Sequence, residues 1–374
     1  MNNMSNQSKY IAPYHAVCIT SNYEFVSSRE EMKPIIDRLE LDIKVAINFA
    51  NTKLPVKLVL LSECVIQGFP DELQDMDPLK YLENIAIHID GPEIERFKTI
   101  AKENAIYLAA GFRTVKPEFP DRYFNEAILF NPKGEIELQH YKHSVLFPTE
   151  HSATPHDVLD QWIDLYGDNL DSFFPVADTE IGKIGLCLAM GGSYPEYIRG
   201  MAMNGTEVLC RMGTPHPFDG AFKIQNQAHA LNNTLFVVGA EVSTGTVVPN
   251  SSPVGMANGN SHIVKYDGSI ISESVGGQGD YFLAGEIDVE SLREFRISSM
   301  VANWTKDLKT EIIRKIYEKQ ILPPNMYKDK TPYNTKGYIK NVLKKQVELM
   351  IERGIYTPPS SSGWRDRIIG ANLE

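Results

Sequence analysis

Three short segments carry residues that could do chemistry together. In LVLLSECVIQGFP, Glu63 directly follows an apolar strand pattern, which puts its carboxylate at the strand's C-terminal end, where α/β sheets place their sites. In ELQHYKHSVLFPTE, Lys142 follows a second strand pattern and Glu150 stands eight residues later, a cation flanked by carboxylates if the chain brings these ends together. In IGKIGLCLAMGGSYPEYIRGMAMNGTEVL, a strand pattern runs into the turn Met190-Gly191-Gly192 and then into a helix opening at Pro195. That is the layout of a nucleophile elbow, in which glycines permit an unusual backbone and the residue at the turn is presented among free N–H groups. Here that residue is Ala189, which has nothing to attack with. Taken singly, Glu63 proves little and Lys142 reads as a solvated strand-end charge.

The elements that must position these residues alternate. Apolar, β-branched runs predict strands over 14–19, 56–61, 106–112, 127–130 and 135–141, with helical periodicity over 30–50 and 94–103 between them. The turn Asn131-Pro132-Lys133-Gly134 joins the last two strands as a hairpin, so the sheet is expected to be mixed. The stretch 151–180, with its polar DQWIDLYGDNLD, breaks the rhythm and reads as an inserted loop with one helical turn, either a wall of the site or a passive surface insertion. Strands are expected again over 184–188, 208–211, 235–240, 262–265 and 281–287, with helices over 195–204 and up to residue 233. The turn Asp267-Gly268 is placed between the last two strands. From Val301 the Lys/Glu-rich periodicity of KDLKTEIIRKIYEKQ and YIKNVLKKQVELMIERG predicts a helical tail, interrupted at Pro323 and Pro324.

Bulk properties narrow the function classes. With 43% hydrophobic and 23% charged residues, the 374-residue chain suits one large α/β domain with a tail, expected to be cytoplasmic. A formal charge of -11 argues against nucleic acid as a partner. No apolar run reaches the length of a membrane span, and no membrane partner is expected. The four cysteines, Cys18, Cys64, Cys187 and Cys210, lie in apolar, strand-like surroundings without metal-ligand spacing. His151 and His156 match no known ligand set, so neither a metal nor another cofactor is expected.

The order Glu63, Lys142, then GKIG…YPE…NGTEVL resembles the Glu-Lys-Cys motifs of the nitrilase superfamily of carbon–nitrogen hydrolases. YFNEAILFNPKGEIELQHYKH, LNNTLFVVGAE and GNSHIVKYDGSIISE resemble further family marks, and the similarity spans roughly residues 10 to 290. The resemblance implies a four-layer α-β-β-α sandwich over 10–300, a helical extension over 301–374, a homo-oligomer, and hydrolysis through a thioester. Glu63 then corresponds to the general base, Lys142 to the oxyanion stabiliser, and Glu150 to the second glutamate of amidase members, which positions substrate and assists proton transfer. Such a division of labour has a physical basis, because a thiol near its reference pKa is mostly protonated and needs a base, while charge developing on oxygen needs a cation.

The nucleophile departs from the pattern. In the family the cysteine stands four residues after the glycine corresponding to Gly185 and six before the proline corresponding to Pro195, and both counts land on Ala189. Cys187, two residues earlier, reads as a small buried hydrophobe. Met190 N–H is the expected second oxyanion donor, and Gly213 and His216, in MGTPHPFDG, are candidate substrate contacts. AMGGSYPEY resembles the amidase and formamidase arrangement more than the Trp-Glu of nitrilases, which implies a linear amide substrate, with an N-carbamoyl compound as the alternative. Two readings of Ala189 follow: an amidase whose cysteine has been replaced, or a natural pseudoenzyme that binds without cleaving.

Overall fold

The computed structural model describes residues 9–146, 148–214, 220–246, 254–255, 259–274 and 281–370. The first half runs β1 (Tyr14–Thr20), α1 (Met32–Ala50), β2 (Val56–Leu60), α2 (Pro92–Glu103), β3 (Tyr107–Lys116), β4 (Phe119–Phe130) and β5 (Ile136–Tyr141). The second half runs β6 (Val176–Thr179), β7 (Gly182–Leu188), α3 (Pro195–Met203), β8 (Val208–Met212), α4 (Ala221–Asn233), β9 (Phe236–Ala240), β10 (His262–Val264), β11 (Ile270–Glu273) and β12 (Tyr281–Ile287).

These strands form two mixed sheets. The first has the order β12-β1-β2-β3-β4-β5, parallel from β1 to β3 and antiparallel along the rest of this order, with the two-residue strand Ile87–His88 added in parallel to β3. The second has the order β11-β10-β9-β8-β7-β6, parallel from β7 to β9 and antiparallel at both flanks.

Strand alternation sorts the side chains into layers. Ala16, Leu58, Leu60 and Ala109 of the first sheet pack against Leu186, Leu188, Cys210 and Val238 of the second. On the outer face of the first sheet, Val59, Leu108 and Phe112 meet Leu39 and Ile43 of α1 and Phe97 of α2. On the outer face of the second, Cys187, Leu209 and Val237 meet Ile198 and Met201 of α3 and Ala230 of α4. The result is a four-layer α-β-β-α sandwich, with each parallel run buried on both faces as its apolar sequence requires.

Several expectations change in detail. Region 151–180 is not one loop with a single turn but holds two helices, Leu159–Tyr166 and Leu170–Phe173, because Trp162 packs on Phe119, Phe124 and Tyr141 and gives the acidic stretch a buried side. The turn Asp267-Gly268 joins β10 to β11, a strand too short and polar to show in the apolar pattern. β3 extends past Phe112 to Lys116, and β4 begins well before Ala127. Cys64 lies in a turn, at φ 48°, and not in a strand; all four cysteines are buried and free.

Of the two helical segments expected in the tail, the second forms, as an unbroken helix over 335–352 with a π-helical stretch at Ile339–Leu343, and the first does not. Over 310–317 it makes only Thr310–Ile313 followed by a 3-10 turn, and every residue from 309 to 321 is exposed. The tail nevertheless docks on its own chain, with Asn325 N–H donating to His156 C=O (2.9 Å), Tyr327 N–H to Asp157 C=O (3.0 Å) and Thr335 N–H to Asp75 Oδ1 (3.1 Å).

Candidate active site

The site begins as a row across three strands. Pairing of β3 with β4 sets Arg113 opposite Asn125, and Lys142, the residue after β5, donates its backbone N–H to the Asn125 carbonyl (2.9 Å). Arg113 and Asn125 share the strand face of Ala109 and Ala127, the face turned to the second sheet. Glu63 arrives from the turn after β2, and Gly111 lets it come close: a Cβ there would lie 2.9 Å from Glu63 Cα and 2.8 Å from Leu188 Cδ2. One point of contact thus brings together Glu63 and the residue preceding Ala189.

Around this row the charged groups close into a network. Lys142 Nζ donates to Glu63 Oε1 and to Glu150 Oε2, at 2.7 Å each, with all three residues buried. Asn125 Nδ2 bridges the same carboxylates from the other side, donating to Glu63 Oε1 at 2.6 Å and to Glu150 Oε1 at 2.9 Å. Glu150 also accepts from Ser152 Oγ (2.8 Å), Leu146 N–H (2.9 Å) and Arg113 Nη1. Arg113 reaches on to Glu72 (2.8 Å) and Asp71 (3.6 Å).

Burial alone would raise the Glu150 pKa, yet the charges of Arg113 and Lys142 hold it well below the usual carboxylate range. For Lys142 burial opposes the charge, and Glu150 and Glu63 more than compensate, so it stays a cation. Glu72, with burial first and Glu150 second against it, is pushed well up. A fixed ammonium between two carboxylates, one of them ionised and pinned by five donors, can present positive charge to an oxyanion while Glu63 handles a proton.

Opposite this cluster, β7 ends in a 3-10 turn, Ala189–Ser193, and α3 starts at Pro195. Ala189 has φ 27°, a conformation that costs a non-glycine residue on the order of 1–3 kcal/mol. Cys187 faces the α3/α4 layer, and burial pushes its thiol up to about 11, so it stays protonated. Gly213 follows β8 and packs by Phe222 and Glu241; His216 lies outside the described residues. His151 and His156 stand near the tail, with His151 Nε2 3.2 Å from Thr335 Oγ1, and among the described residues no three His, Cys, Asp or Glu side chains are grouped to hold a metal.

The sequence motifs assign no role to Arg113, nor to Asn125, which stands in YFNEAILF only as part of a family mark; the signal available for both is an Arg and an Asn on the small-residue face of otherwise apolar strands, AAGFRTV and YFNEAILF.

The family model for carbon–nitrogen hydrolases matches residues 31–297. The chain belongs to the carbon–nitrogen hydrolase family. Formamidase of Bradyrhizobium sp. (strain ORS 278) is 27% identical over 221 residues, 59% of this chain and 59% of the relative. Nitrilase 1 of Arabidopsis thaliana is 29% identical over 165 residues, 41% of this chain and 43% of the relative. The chain therefore spans about six-tenths, or less, of the curated relatives it matches here. Among solved structures, a carbon–nitrogen hydrolase from Helicobacter pylori G27 superposes with TM-score 0.61 at 19% identity, covering 82% of this chain and 99% of that one. A cysteine-to-alanine mutant of the Nesterenkonia AN1 amidase gives TM-score 0.60 at 16% identity, covering 81% and 97%. At such identities the structural likeness speaks for the fold. Among the described residues no helix is long and apolar enough to cross a membrane.

Proposed function

We propose that this carbon–nitrogen hydrolase site recognises the planar N–C=O of a linear amide, and that with Ala189 it binds the amide without cleaving it. The observation that carries the reading is Lys142 Nζ held at 2.7 Å from both Glu63 and Glu150, buried, beside a strained elbow. A chain serving only as a scaffold has no use for three buried charges and a strained backbone, each of which costs stability. The relatives include both formamidases and nitrilases; AMGGSYPEY, which resembles the amidase arrangement, supports an amide over a nitrile.

A thiol at position 189 completes the chemistry. Its sulfur bonds to the amide carbon as its proton passes to Glu63, and the carbonyl oxygen becomes an oxyanion held by Lys142 and the Met190 N–H. Collapse breaks the C–N bond, with Glu63 returning the proton to departing ammonia. Water, deprotonated by the same carboxylate, then releases the acid from the thioester, while Glu150 keeps Lys142 and the substrate nitrogen in place. In the Ala189 chain the first of these bonds cannot form.

Ala189→Cys is the test. The substituted chain is expected to hydrolyse formamide or acetamide and to show an acyl adduct by intact mass with a slow substrate, and Cys187→Ser is expected to leave that adduct unchanged. A folded Ala189→Cys protein inert toward amides, carbamoyl compounds and nitriles would instead favour a pseudoenzyme that uses the pocket for binding alone.

A further inference from the structure

The elbow is gripped from its far side by an arginine. Arg211, in β8, is buried and registered beside Cys187 of β7, and its side chain lies in the layer between the second sheet and α4. The guanidinium donates to the Ala189 carbonyl from both Nη2 (2.7 Å) and Nε (3.2 Å). Its remaining contacts lock it in place: Nη1 to Asn226 Oδ1 (2.8 Å), Nη2 to Gln225 Oε1 (2.8 Å), and the Phe222 ring, 4.1 Å from Cζ. Gly192 is the opening that admits it, since a Cβ there would sit 2.4 Å from Nε and 2.5 Å from Cζ.

The geometry has a direct consequence for the site. A trans peptide is planar, so its C=O and N–H point in opposite directions. Fixing the Ala189 carbonyl on Arg211, toward α4, turns the Met190 N–H the opposite way, toward the first sheet with Glu63 and Lys142. The same grip holds residue 189 at φ 27°, a conformation an unrestrained alanine leaves. A neutral side chain could not make this two-pronged, charge-assisted contact to one carbonyl.

We propose that Arg211 is the positioning residue of the elbow: by holding the residue 189 carbonyl it aims the Met190 N–H, and the side chain at 189, at the space before Glu63 and Lys142. The catalytic consequence rests on the amide-hydrolase reading; the backbone consequence does not.

The test adds Arg211→Met, Arg211→Lys or Gly192→Ala to Ala189→Cys. The introduced thiol is alkylated with iodoacetamide between about pH 6 and 10 and followed by peptide mass, and formamide turnover is measured in parallel. Each addition is expected to slow alkylation at neutral pH about tenfold or more and to move its inflection upward, and to lower kcat on the order of a hundredfold with a smaller change in KM. Arg211→Lys keeps the charge without the two-pronged grip, so little recovery is expected from it; full recovery would assign the effect to charge and overturn the positioning role. A folded Arg211→Met or Gly192→Ala protein with the alkylation profile of Ala189→Cys alone also overturns it. Should Arg211→Met fail to fold, Gly192→Ala, which displaces the guanidinium but retains it, decides. If Ala189→Cys turns over no amide while alkylation still shifts on loss of the grip, the amidase reading fails and the role of Arg211 stands.

Discussion

Replacing Lys142 by Met tests the site without needing turnover. From sequence alone folding is expected to survive this change, but the structure attaches a stability cost to it. Lys142 Nζ lies 2.7 Å from both Glu63 and Glu150, and Asn125 Nδ2 ties the same two carboxylates together at 2.6 and 2.9 Å. Without the ammonium these buried carboxylates repel each other, with Arg113 left as the cation bonded to Glu150. Breaking a buried ion pair by removing one partner costs about 3–5 kcal/mol, and that is the loss expected near pH 8. The loss depends on pH in a definite direction. In the parent, Glu150 has a lowered folded pKa, so its contribution is present above the unfolded value of about 4.3 and is lost as pH falls through the folded value. In Lys142→Met the shared carboxylates gain a raised pKa, so their penalty is full at high pH and fades as one of them takes up a proton. The difference between the two proteins should therefore shrink by roughly 1.4 kcal/mol per pH unit once that proton binds, and be small near pH 5. Urea unfolding followed by far-UV circular dichroism at a series of pH values measures it. A Lys142→Met loss below about 1 kcal/mol at pH 8, or one equal at pH 8 and pH 5, would refute the argument.

Two further predictions concern the frame of the site. Gly111→Ala is expected to destabilise by about 1–3 kcal/mol in thermal melts, since its Cβ meets Glu63 Cα at 2.9 Å and backbone cannot step aside as a side chain can. Asp157 has its pKa pushed up to about 6 by burial, against the hydrogen bonds from Thr154. A raised folded pKa means a contribution present in full below about 3.9 and lost as pH rises through about 6. Asp157→Asn should accordingly gain stability relative to the parent between pH 4 and pH 7, by up to about 3 kcal/mol; a pH-independent difference would count against the buried-charge account.

The parts of the fold legible in the sequence are those built from local periodicity. Val56–Leu60, Ile184 to Leu188 and the helix at Pro195 follow from apolar runs and a proline at the first helical turn, and they place Glu63 and Ala189 at strand ends. Less was visible where function depends on residues brought together across the sheet. Arg113 lies 50 residues past Glu63 in a strand whose apolar run stops at Phe112, because the arginine that joins the cluster is itself what ends that run. Arg211 lies inside the expected strand over 208–211, in VLCRM, yet nothing local reveals that its partner is a carbonyl 22 residues earlier. The helix around Trp162 was masked by its charged outer side, and its identity as an element comes from the aromatic cluster it caps.

The pairing of β1 with β12 sets a condition on how this molecule acquires its shape. Tyr14 lies opposite Ile287, so the second strand of the first sheet waits for a neighbour nearly the whole domain away in sequence. During synthesis β1 can align with β2 early, but one edge of β1 stays bare until residues 281–287 have left the ribosome. An exposed, apolar strand edge held open that long invites pairing with another chain. Refolding should therefore be slow and yield-limited by concentration, as expected of a topology whose closing contact has nearly the largest loop to close.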